Sequence, residues 1–190
     1  MTRLEILQKT ESNIFTTSDL MVLWGVSDRR DVIESVKDYI RRERIFSIRK
    51  GIYALNKEYD VKELAQKLIS PSYISYYTAL AMHGIIFQKY AEIHSFAIYS
   101  KTILLEDQKF IYHKMSEKIL YIQEGIVNEN HYTVASSERA ICDSLYLNKT
   151  LAFDNLRNID VDKLKRISLI YENKRLEANI KKLVKQIQSI

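Results

Sequence analysis

Cysteine, proline and glycine are all scarce in this chain: one, one and four residues among 190. A single thiol, Cys142, cannot close an internal disulfide, and no cysteine or histidine stands near it at zinc-ligand spacing. Neither a disulfide framework nor a structural metal is therefore expected, and no cofactor is called for. With so few turn-formers there is no low-complexity tract, no internal repeat and no obvious flexible linker, so domain boundaries have to be read from changes in pattern. Long apolar runs are missing as well. Nothing approaches the roughly 18 residues of a membrane-spanning helix, and Arg3 and Glu5 on either side of Leu4 interrupt the stretch a signal peptide needs. The expectation is a cytoplasmic protein without a membrane partner.

What is present is the composition of a folded chain, 46% hydrophobic and 28% charged. The length accommodates one ordinary domain, or a small one joined to a medium one. The net charge of +5 is modest but unevenly spread. Residues 29 to 50 carry eight Lys/Arg against four Asp/Glu, residues 163 to 190 carry eight against two, and the remainder is net acidic. Two basic segments on either side of a Tyr-rich, mildly acidic middle suggest two distinct surfaces.

Along the first third, Thr2 to Lys9 reads as a short helix burying Leu4, Ile6 and Leu7. Thr16, Thr17 or Ser18 then caps a second helix carrying Leu20, Leu23 and Trp24, with Phe15 as a hydrophobic staple and Gly25 as its stop. After the tight turn at Val26 and Ser27, a third helix spans about Asp28 to Glu43. Its core face is Val32, Ile33, Val36 and Ile40. Arg30, Glu34, Lys37 and Arg41 fall at i, i+4, i+7 and i+11 and form one stripe on its flank. Residues 45–48 and 52–55 read as two strands around the tip Arg49-Lys50-Gly51. Helix, helix, tight turn, helix and basic-tipped hairpin is the order of a winged helix-turn-helix, expected over residues 1–59. Arg29, Arg30, Lys37 and Arg41 are the candidates for the major groove, Glu34 for tuning base choice, and Arg49 and Lys50 for backbone phosphates. A solvated face laced by pairs such as Arg30 with Glu34 is the plainer account of the same helix.

Residues 60–190 read as a mixed domain, which makes the whole chain α+β. Helices are expected over residues 61–69 and 75–83, the latter stopped by Gly84. Strands of a small sheet are expected over 93–99, 109–114, 119–124 and 132–135. A helix capped by Ser136 or Ser137 runs to Leu147, and the chain ends in helices, the last with a narrow seam of Leu176, Ile180, Leu183 and Ile187 beneath a basic face. Asp160-Val161-Asp162 and Asp107-Gln108-Lys109 resemble fragments of metal-dependent nucleotidyltransferase and nuclease sites. No phosphate loop accompanies the first, where Asp162 reads as a helix cap, and a turn explains the second. The four histidines, His83, His94, His113 and His131, have no catalytic spacing and read as structural. No catalytic residue and no metal ligand is assigned.

Three segments carry a family resemblance. Arg49-Lys50-Gly51-Ile52-Tyr53-Ala54-Leu55 resembles the wing of the AbiEi-type antitoxins, Tyr73 to Gly84 (YISYYTALAMHG) the helix that follows it, and Ala135 to Leu147 (ASSERAICDSLYL) a later helical motif. They fall in order within roughly residues 15 to 150. The resemblance implies a transcriptional regulator from a type IV toxin–antitoxin, abortive-infection system. Such a protein represses the promoter it shares with a nucleotidyltransferase-like toxin by binding double-stranded DNA, and counters that toxin through the rest of the chain. Family members antagonise the toxin without necessarily binding it stably, so direct contact is not implied, and a homodimer on DNA is left open. Ser137, Glu138, Arg139 and Asp143 are the candidates for the toxin-countering surface, as an exposed helical face; a capped helix with polar residues on its solvated side accounts for them equally well. The competing readings are a protein-interaction module whose basic stripe is merely solvated and a small metal-dependent nuclease.

Overall fold

The computed structural model describes residues 1–147 and 151–189. The chain is α+β and separates into two compact units, Met1–Leu68 and the residues from Ile69 onward.

In the first unit the order is α1 (Arg3–Gln8), β1 (Ile14–Thr16), α2 (Thr17–Trp24), α3 (Arg29–Arg41), β2 (Phe46–Arg49), β3 (Ile52–Ala54) and α4 (Val61–Leu68). Local chemistry sets the ends of these helices. Thr2 with Glu5, and Thr16 with Asp19, form capping boxes at α1 and α2, each satisfying two backbone donors reciprocally. Gly25, at φ 63°, closes α2 in the left-handed conformation that a residue without Cβ adopts freely. Asp28 rather than Ser27 caps α3, accepting from the Arg30 amide. The three short strands form an antiparallel sheet in the order β1-β3-β2. Leu7, Phe15, Leu20, Val32, Val36 and Ile45 make the core, with Trp24, Tyr39 and Ile40 packed around it. Each such side chain contributes about 1.5–3 kcal/mol by leaving water.

The division falls at Leu68, beyond the change of pattern at Tyr59, because α4 belongs to the first unit. Glu63 on α4 is buried, and its Oε1 accepts from the Ile14 amide at 3.1 Å and from the Ser12 hydroxyl. This carboxylate occupies a donor that β1 would otherwise bury unpaired, which costs about 1–3 kcal/mol.

The second unit holds a six-stranded mixed sheet in the order β6-β7-β5-β4-β9-β8. Its elements are β4 (Ser72–Ile74), α5 (Tyr76–Met82), β5 (Ile93–Ala97), β6 (Lys101–Leu105), β7 (Gln108–Lys114), α6 (Glu117–Leu120), β8 (Ile126–Glu129), β9 (Tyr132–Ala135), α7 (Ser137–Leu147), α8 (Val161–Leu169) and α9 (Lys174–Gln188). β5 is buried along its whole length, as expected of a central strand covered on both faces. The strand expected over 119–124 is instead the helix α6 and the turn after it. There the Leu120 amide donates to the Ser116 carbonyl and the Tyr121 amide to the Glu117 carbonyl, so the backbone donors are satisfied within the segment and not by a neighbouring strand. β4, β6 and β8 complete a sheet larger than the four expected strands. α7 is buried on nearly every side from Glu138 to Leu145, so it lies inside the unit.

Gly125, before β8, permits that close approach. It holds φ 77°, and a Cβ there would stand 2.8 Å from both Arg139 Cβ and Ile167 Cδ1. Gly25 also has a positive φ but nothing within 4 Å of an added Cβ. Gly125→Ala therefore combines backbone strain with overpacking and should cost about 3 kcal/mol, against about 1 kcal/mol for Gly25→Ala. Urea denaturation followed by far-UV circular dichroism measures both; equal losses would show that the crowding at Gly125 relaxes freely.

Candidate nucleic-acid interface

The amphipathic pattern of α3 puts Val32 and Val36 in the core and leaves Arg29, Arg30, Asp31, Glu34, Lys37 and Arg41 exposed. The i,i+4 ion pairs that would make this a self-satisfied solvated face do not form across the stripe. Among the described residues, Arg29, Arg30, Glu34 and Lys37 take part in no ion pair. Asp38, off the stripe, draws Arg41 into a salt bridge and holds the Arg42 Nε at 3.0 Å. Arg41 thus belongs to an internal pair at the helix end, while the three cations nearer the N-terminus keep unpaired charge. Arg44, which helical periodicity does not pick out because it lies beyond α3, is likewise exposed and unpaired among the described residues.

Arg49 and Lys50 are exposed at the tip between β2 and β3. Gly51, at φ 83°, makes the turn, and its carbonyl accepts from the Thr17 amide at 2.9 Å. Thr17 is the first residue of α2, so this bond ties the basic tip to a helix N-terminus. Two cations and the partial positive charge of that terminus are held on one small frame.

The residues expected on an exposed toxin-countering face are placed otherwise. Arg139 and Asp143 are completely buried, Glu138 nearly so, and Ser137 is half-buried. Asp143 Oδ1 accepts from the hydroxyls of Tyr171 at 2.5 Å and Tyr73 at 3.0 Å, and Oδ2 from Ser75 at 2.7 Å. Arg139 Nη2 donates to the Ile119 carbonyl at 2.9 Å and to the Tyr73 oxygen at 3.2 Å, and Nη1 to the Glu124 carbonyl at 3.1 Å. Its Nε lies 3.5 Å from Asp143 Oδ1. Burial pulls the guanidinium's pKa down, but Asp143 and the two phenols outweigh it, for a net rise. Burial raises the carboxyl of Asp143, opposed by Arg139 and the three hydroxyls. Glu138 meets Lys163 at 2.8 Å and Ser136 at 2.9 Å. Burial raises its carboxyl, yet these partners hold it below the usual range. This constellation is a framework, and nothing in it is presented to solvent as a contact surface.

A second group lies on β5, β7 and α5. His94 Nδ1 and His113 Nε2 are 3.0 Å apart in nearly parallel rings, with Tyr76 edge-on to His113. Burial, aided at His94 by the neighbouring ring, lowers both imidazoles to about 4. His83 donates to the Ala135 carbonyl at 2.7 Å. Asp160, not Asp162, caps α8, accepting from two amides, and Asp107 sits in the turn between β6 and β7. Among the described residues no group of three or more His, Cys, Asp or Glu could hold a metal ion. Among the described residues no helix is long and apolar enough to cross a membrane either. The chain matches no family model and no curated protein.

Breaking the buried pair from one side leaves the other charge without compensation. Arg139→Met and Asp143→Ala should each cost about 3–5 kcal/mol, and together well under the sum. Chemical denaturation of the two variants and their combination tests this; simple additivity would mean that the two residues act independently. For the histidine pair, the folded pKa values near 4 lie below the unfolded value of about 6.5. The unfolded chain therefore binds more protons between pH 6.5 and 4, and stability should fall as the pH drops through that window. His94→Gln/His113→Gln should flatten the decline in melting temperature between pH 7 and 5; an unchanged slope would assign it to other groups.

Proposed function

We propose that the protein is a DNA-binding regulator of the antitoxin type, in which residues 1–68 form a winged helix-turn-helix and α3 enters the major groove. The observation that carries this is the unpaired basic face of α3, with Arg29, Arg30 and Lys37 exposed while the helix's ion pairing is confined to Asp38. The order helix, strand, helix, helix, strand, strand, with sheet order β1-β3-β2, supports the same reading. In this reading Arg49 and Lys50, at the turn tied to α2, neutralise backbone phosphates beside the groove. Arg41, held by Asp38, serves the helix end more than the base edges.

The second unit carries the toxin-countering role in this reading. Support comes from the resemblance of residues 73–84 and 135–147. The buried Arg139–Asp143 framework moves the neutralising surface away from Glu138, Arg139 and Asp143: Arg139 and Asp143 tie α7 to Tyr73 of β4, and Glu138 ties it to Lys163 of α8. The cognate nucleotidyltransferase-like toxin and the DNA ahead of the shared operon are the proposed partners, and the cytoplasm the proposed location.

Fluorescence anisotropy with a duplex from immediately upstream of the gene should show affinity falling steeply with salt. A log–log slope of several units is expected, because each neutralised phosphate releases about 0.9 counterion. Lys50→Ala should weaken all sequences alike and reduce the slope by about one. Arg30→Ala/Lys37→Ala should lose operator preference, yet still rescue growth when the toxin is expressed from an unrelated promoter. Salt-indifferent binding would favour the protein-interaction reading, and a folded Arg30→Ala/Lys37→Ala chain that fails to rescue would refute separate surfaces.

A further inference from the structure

Four acidic residues interrupt the basic run on and just before α3, and three have a local use. Asp28 caps the helix through the Arg30 amide at 2.8 Å. Asp31 stands in the first turn, where the helix dipole favours negative charge. Asp38 holds Arg41 and Arg42. Glu34 has none of these. It lies in the second turn, is exposed, and pairs neither with Arg30 four residues before it nor with Lys37 three residues after. A carboxylate in the middle of a face turned toward a polyanion repels phosphate, so it weakens binding to DNA in general. Its place in the stripe is favourable only where a base donates a hydrogen bond to it.

Resting on the proposed groove-facing role of α3, we infer that Glu34 is a specificity-determining residue that accepts a hydrogen bond from the exocyclic amine of cytosine in the major groove, beside a guanine contacted by Arg30. In that groove cytosine presents a single amine donor, while guanine presents two acceptors suited to the guanidinium fork. The four-residue separation of Arg30 and Glu34 is about 6 Å along the helix axis, one to two base steps of about 3.4 Å. The two side chains therefore address neighbouring base pairs. Thymine and guanine offer Glu34 only acceptors at the corresponding atoms, so the carboxylate rejects them by repulsion as well as by a missing bond.

The test is selection of bound duplexes from a random library by the full-length wild type, Glu34→Gln and Glu34→Ala. The wild type should enrich a motif with cytosine at one position. Glu34→Gln should enrich adenine there and leave the rest of the motif unchanged, because a carboxamide pairs with the amine and N7 of adenine. Glu34→Ala should lose a preference of roughly five- to 150-fold at that position, and bind random duplex more tightly at low salt. The exposed site makes misfolding a poor account of a changed base, and circular dichroism checks the fold. A motif that survives both substitutions unchanged overturns the inference while leaving DNA binding intact. Failure of the wild type to enrich any motif, with salt-indifferent affinity, overturns the proposed function and this inference together.

Discussion

A guanidinium and a carboxylate, both removed entirely from water, face each other at the centre of the second unit. Taking such charges out of solvent costs several kcal/mol apiece, and the attraction between Arg139 and Asp143 is supported by three hydroxyls on the carboxylate and by two carbonyls and a phenol on the guanidinium's Nη atoms, while Nε keeps only the ion-pair contact at 3.5 Å. The supporting groups come from far apart in the chain. Tyr73 belongs to β4, Ser75 to the start of α5, the Ile119 carbonyl to α6, the Glu124 carbonyl to the turn before β8, and Tyr171 to the segment between α8 and α9. Both rings also lie under the guanidinium, at 5.5 Å for Tyr73 and 5.3 Å for Tyr171. The sheet's middle strand, the covering helices and the small α6 are therefore assembled around one demand, the satisfaction of a buried ion pair. Gly125 supplies the room for it. A neutral core of equal volume would pack as tightly but would not require each of these carbonyls and hydroxyls to be in place.

The first unit distributes charge in the opposite way. Apart from Thr17 and Glu63 its buried residues are apolar, and its cations lie toward the surface, where solvent screening makes ion pairs worth little. Arg41 and Arg42 converge on Asp38 at the C-terminal end of α3, where positive charge also suits the helix dipole. Toward the N-terminal end the charges are left single. The helix thus has a self-neutralised end and an open end, and the tip between β2 and β3 adds two more exposed cations, Arg49 and Lys50.

Much of this was legible in the residues, and what was not has identifiable causes. α3 declared itself because Val32 and Val36 recur at helical spacing with charges between them, and the basic turn because Arg49-Lys50-Gly51 separates two apolar runs. β1 and β4 are three residues long, too short for alternation to register. Arg139 and Asp143 misled for a different reason: an Arg/Asp pair at i,i+4 has the same spacing on a wet helix as in a dry one. The discriminating signal was beside it, in Ala140, Ile141, Cys142 and Leu145, which leave α7 no polar side wide enough to face water. The hydroxyls that complete the site, at positions 73, 75 and 171, are distant in sequence and invisible to any periodic reading. Capping was read correctly in kind but displaced by one or two residues at Asp28 and Asp160, where neighbouring polar side chains compete for the same amides.

The buried carboxylate of Glu63 bears on how this chain can be recombined with others. Natural shuffling and deliberate grafting both succeed where a junction severs few dependencies, and the apparent seam at Tyr59 severs one. A chimaera joined there would inherit β1 without its acceptor, leaving the Ile14 amide stranded in an apolar setting. Joined after Leu68, the same transplant carries its own partner with it. The transferable unit is thus set by a single backbone amide and the carboxylate that answers it, about ten residues past the point where the pattern of the chain changes.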